Sequence, residues 1–160
     1  MIKEYKLLFL MVIIFSFIYS ATLIMNNQCG WTVHNITDAI TDEQSTTIIL
    51  HSENEVMGKK HSLIIKCKQD SIIDIYITWH ARLERLPKVT VRFDKGVAVQ
   101  SEWTISKELT ATFCNNTTLF IKKLLKSGRL AVRTTSYQGS VMTAVFNVEG
   151  LSDVISVPID

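Results

Sequence analysis

Four histidines and three cysteines are the side chains best suited to hold a metal or to form a nucleophile–base pair. Zinc sites usually draw such ligands from short local pairs such as HExxH or CxxC, which aim two donors at one ion. His34, His51, His61 and His80 are never three or four residues apart, and no CxxC occurs among Cys29, Cys67 and Cys114. A metal would have to be gathered across strands, so the simpler expectation is surface or loop histidines. Asp38 and Asp42 stand four apart in a polar segment, where solvation is the expected state. No GxSxG elbow, P-loop or dinucleotide fingerprint is present. A thiol–histidine pair built on Cys67 or Cys114 is disfavoured in an oxidising compartment. The expectation is a protein that is not an enzyme and takes no cofactor.

The aromatic residues offer a different chemistry. Trp103 lies between Glu102 and Thr104, so either face is open to it. An exposed tryptophan would mark a contact with a partner protein, because tryptophan is enriched among interface hot spots. Trp103 and Tyr137 are therefore the candidate partner-binding residues, although core packing is the favoured role for Trp103. Trp79 ends an apolar strand face and is expected in the core.

Period-two alternation supplies the elements that position these groups. Leu63, Ile65 and Cys67 share one face against Lys66 and Lys68. Ile73, Ile75, Ile77 and Trp79 do the same, as do Val89, Val91 and Phe93, and then Met142, Ala144, Phe146 and Val148. Half-buried antiparallel strands need this pattern because successive side chains point to opposite faces. Thr46–His51 and Arg129–Thr134 are further strands by β-branched content. Residues 89–106 read as two strands joined by a tight loop, with Gly96 left-handed in Asp94-Lys95-Gly96. Tyr137-Gln138-Gly139-Ser140 reads as a turn and His51–His61 as an exposed polar loop.

One helix interrupts the strands. Phe120 with Leu124 and Ile121 with Leu125 form an apolar i, i+4 stripe. Asn116 or Thr117 can cap its start, and Lys122, Lys123 and Lys126 suit its C-terminal half. Residues 151–155 suit a short terminal helical turn. The fold class is mainly β, an antiparallel sandwich or barrel-like domain with one amphipathic helix.

Two lysines precede an uncharged run from Leu7 to Met25, which is the pattern of a secretory signal. Cleavage after Ser20 gives a signal peptide over 1–20, a linker over 21–30 and a β-rich domain over 31–160. An uncleaved anchor reaching residue 25 is the alternative, since the run is about long enough to span a bilayer. Membrane contact is expected only through this segment, with the domain periplasmic or secreted. The chain carries 17 Lys+Arg against 15 Asp+Glu. Without a basic surplus or stripe it lacks the footprint of a general nucleic-acid binder.

Taken in order, several segments resemble the VasI/TagO family, envelope proteins associated with bacterial type VI secretion. They are WTV at Trp31, LIIKCK at Cys67, IYITW at Trp79, VTVRFD with Trp103 following, FIKKLL at Phe120 and the run Arg129–Leu151. The resemblance implies an exported accessory role with other envelope or secretion-system proteins as partners, and no reaction. A secreted or periplasmic ligand- or inhibitor-binding module, unconnected to a secretion system, is the alternative. Family members often carry a cysteine beyond the position of Pro158, a natural partner for Cys67. This chain has none there. A disulfide at Cys67 would then use Cys114 or Cys29.

Overall fold

The computed structural model describes residues 30–68 and 71–155. The signal segment, Cys29 and all of the linker except Gly30 lie outside the described residues, as do Gln69 and Asp70. The chain divides into one unit up to Gly30 and a second over Trp31–Asp160, to which every described strand and helix belongs.

Among the described residues, ten strands form two antiparallel sheets that enclose one core. They are β1 (Trp31–Thr37), β2 (Gln44–Val56), β3 (Lys59–Lys68), β4 (Ser71–Thr78) and β5 (Val89–Phe93), followed by β6 (Val99–Ser101), β7 (Trp103–Ile105), β8 (Ala111–Cys114), β9 (Arg129–Thr135) and β10 (Val141–Asn147). The first sheet has the order β1-β2-β3-β4-β8-β7 and the second β10-β9-β5-β6. Helix α1 (Thr117–Leu124) lies between β8 and β9 in the chain, and the short α2 (Leu151–Val154) follows β10. The mainly β sandwich expected from alternation is the fold.

The core follows directly from that alternation. Ile48, Leu63, Ile65, Ile75 and Ile77 are buried on the first sheet, and Val89, Leu130, Val132, Met142 and Phe146 on the second. Trp79 is fully buried, and its indole N–H donates to Thr112 Oγ1 at 2.9 Å. A buried indole needs such an acceptor, since an unpaired donor away from water is costly.

Several expectations are corrected. Ile73 does not share the core face of β4; it is 48% exposed. The β3–β4 register passes from Lys66↔Asp74 to Cys67↔Ile72, which leaves Ile73 as the extra residue of a bulge and turns Ile72 inward. Residues 51–61 are not a loop. β2 and β3 continue through them to a two-residue turn, Met57-Gly58, in which both φ angles are positive (56° and 70°). That is the turn geometry that suits strand twist in a hairpin. Gly96 is not left-handed; Asp94 is, at φ 48°. Its carboxylate Oδ1 accepts from the backbone N–H of Gly128 and Arg129 at 3.0 and 2.8 Å, which fixes it against the start of β9.

Residues 89–106 form three strands instead of two. β5 pairs with β6, but at Glu102 the chain leaves that sheet, and β7 pairs with β8 in the other. The segment thus closes one end of the sandwich.

Candidate groove between the β5–β6 hairpin and helix α1

Helix α1 begins where Asn116 Oδ1 accepts the Leu119 N–H at 3.0 Å. This satisfies one of the donors that a first helical turn leaves unpaired. Phe120, Ile121 and Leu124 turn inward and are buried, as the i, i+4 stripe requires. Lys122 and Lys123 are exposed outside that buried stripe.

Phe120 organises the contact with the neighbouring strands. Its ring meets Trp103 edge-on at 5.4 Å and 84°, and Phe93 tilted at 5.4 Å and 59°. Such edge and tilted geometries match the charge distribution of aromatic rings. Above this cluster the hairpin and helix stand apart, leaving an open groove of about 390 Å³. Val91, Phe93, Val99, Cys114, Leu119 and Phe120 supply its apolar walls. Lys123 and Lys126 lie along it as well, and no described acidic side chain lines it. Val97, Val99 and Leu119 are 86%, 58% and 52% exposed, so the apolar wall is open to water.

Trp103 and Tyr137 do not form one face. Trp103 is only 6% exposed and serves the core, the favoured of its two expected roles, so it does not offer the exposed contact of the other. Its indole N–H is buried without a hydrogen-bond partner. Tyr137 is 67% exposed at the β9–β10 turn, with the Arg82 guanidinium 5.3 Å from its ring centre. Its N–H donates to the Arg82 carbonyl at 2.8 Å, and Leu83 bridges to Ser136 beside it. The turn is thereby pinned to the segment between β4 and β5.

Cys67 and Cys114 are free thiols and are not joined to each other. Cys67 lies on β3 and Cys114 on β8, with β4 between them. Strands two places apart are separated by about 9–10 Å, beyond the roughly 7 Å that a disulfide allows between Cα atoms. Burial pushes both thiols above their ordinary value, which leaves neither as an activated nucleophile.

His61 is buried, against the expectation of surface histidines. Its ring packs on Trp79 at 5.2 Å and stacks on His80 at 6.0 Å, and neither imidazole nitrogen has a well-formed hydrogen bond. Burial holds it below the ordinary histidine value, and His80 adds to the effect, while the Thr78 backbone pulls weakly the other way. No group of three or more His, Cys, Asp or Glu side chains suited to a metal ion occurs among the described residues.

Among solved structures, the chain is similar to invasion associated protein B from Bartonella henselae, with a TM-score of 0.58 and 10% identity, over 78% of this chain and 87% of that one. The two share a fold. No protein-family model and no curated protein matches the chain. At this identity the likeness concerns backbone topology alone.

Sequence reasoning missed the groove. Val97 and Val99 fall within the stretch read as a simple two-stranded hairpin, and Leu119 lies just ahead of the Phe120–Leu124 stripe with no role assigned to it. The available signal was Lys123 and Lys126 on a helix whose next neighbours are exposed valines. That pairing becomes visible only when β6 and α1 are brought together.

Proposed function

We propose that this chain is a non-enzymatic accessory protein exported to the bacterial envelope, where it acts by binding, in association with type VI secretion. The carrying observation is the fold shared with a bacterial invasion-associated protein over most of both chains. The signal-like N-terminus and the ordered resemblance to VasI/TagO proteins support the envelope and secretion parts of this reading. Fractionation of cells expressing the full-length chain tests the location. Recovery from the periplasm, the envelope or the medium is expected, and recovery from the cytoplasm would sink the proposal. Deleting the gene in a host with an active type VI system is expected to alter contact-dependent killing; unchanged killing would remove the secretion part.

A second reading, a ligand-binding module, is favoured by the groove between β6 and α1, which presents apolar walls beside lysines. It replaces Trp103 with Val99 and Leu119 as the exposed contact.

A further inference from the structure

We infer that the groove between the β5–β6 hairpin and α1 binds a fatty acid, its acyl chain along Val91, Val99, Leu119 and Phe120 and its carboxylate at Lys123 and Lys126. This rests on the ligand-binding reading and is independent of where the protein is located. Three observations carry it. The groove, about 390 Å³, has the size of a small-ligand site and is walled mainly by apolar side chains. Its exposed Val97, Val99 and Leu119 line the groove together with half-buried Phe93 and buried Phe120, which packs on the core Trp103, so an acyl chain would complete a core that is open on one side.

Charge decides the head group. Lys123 and Lys126 lie in the last turn of α1 and just beyond it, and neither has an ion-pair partner among the described residues. Described acidic side chains are absent from the lining, so the complementary ligand is an anion attached to an apolar tail. A neutral lipid would leave the lysines unused, and a small anion would leave the walls wet. Cys114, in the groove wall, provides a reporter because a seated chain would cover its sulfur.

Calorimetry with octanoate, decanoate and dodecanoate, each below its micelle concentration, tests the proposal on the protein as it accumulates from the whole gene. One-to-one saturable binding is expected, tightening about fourfold per added methylene, as burial of each methylene implies. Leu119→Glu, at an exposed position, should abolish it. Lys123→Glu with Lys126→Glu should weaken dodecanoate roughly tenfold, the scale of two exposed charge contacts, while leaving dodecanol unchanged. Modification of Cys114, read by mass spectrometry, should slow when dodecanoate is present. Absence of saturable binding in the series would overturn the proposal, as would indifference to Leu119→Glu in a folded variant. Equal affinity for dodecanol would remove the anionic head group, and much tighter binding of dodecyl phosphate would assign the groove to phospholipid. A dimer dissolved by Leu119→Glu would give the groove to a second copy. None of these outcomes bears on fractionation, so this inference and the envelope reading fail separately.

Discussion

The side-chain amide of Asn54 pairs with the backbone of Val145 as a strand would. Its Oδ1 accepts the Val145 N–H at 2.8 Å, and its Nδ2 donates to the neighbouring Thr143 carbonyl at 2.8 Å. Asn54 reaches that edge because β2 bulges between His51 and Glu55. In the bulge, Ser52 Oγ donates to the Asn54 carbonyl at 2.6 Å and accepts the His61 N–H at 3.0 Å. One carboxamide thus joins the two sheets and covers the open side of β10, an edge strand that would otherwise offer unpaired groups to another chain.

Asn54→Ala is therefore expected to cost about 1–2 kcal/mol, from two part-buried backbone groups losing their partners. It should also promote association through the bared β10 edge. Urea melts and size-exclusion chromatography over a concentration series read both effects. Unchanged stability with a monomeric variant would mean that solvent replaces the amide at no cost.

Thr112→Val removes the acceptor of the Trp79 indole N–H while keeping the side chain's shape. The donor would be left dry in the core, at a cost of about 1–3 kcal/mol. Thr112→Ser keeps the oxygen and should retain most of the stability in the same denaturation experiment. Equal losses in both variants would point to packing as the role of Thr112.

His61 predicts how stability depends on pH. Its folded value lies below the ordinary 6.5, so the unfolded chain takes up its proton first as pH falls. Its contribution is fully present above the unfolded value and is lost progressively below it, at no more than about 1.4 kcal/mol per pH unit. Melts between about pH 5 and 7, above the range where carboxylates dominate, should show this decline. His61→Phe should flatten it, and an identical slope in that variant would assign the decline to another group.

The two described thiols should differ in reactivity. Cys67 is 4% exposed, whereas Cys114 is half-buried at the groove. A maleimide probe should label Cys114 at least about ten times faster, since Cys67 must wait for an opening of the sheet. Because burial raises both thiols, labelling of each should keep climbing above pH 9.0, the ordinary value. Peptide mass spectrometry separates the sites, and faster labelling of Cys67 would contradict the register of β3.

The sequence by itself determined the class of the fold and most of its core. Alternation at Leu63–Cys67, Val89–Phe93 and Met142–Val148 is a property of one strand and its two faces, so it can be read without knowing any neighbour. The same holds for α1, whose stripe and Asn116 cap are local. The bulge at Ile73 and the left-handed Asp94 escaped because each depends on what the partner strand or the next element offers the backbone. Core packing is the favoured role of Trp103, but what fixes its orientation cannot be read locally. A tryptophan between Glu102 and Thr104 has no local cause to prefer either face, and only the step of β7 into the other sheet, against Phe120, sets it inside. Tertiary structure alone decided that Cys67 and Cys114 stay apart, how Asn54 closes an edge, and that β6 and α1 leave a groove between them. Each of these is a relation between segments far apart in the chain, and spacing along the sequence carries no distance across the fold.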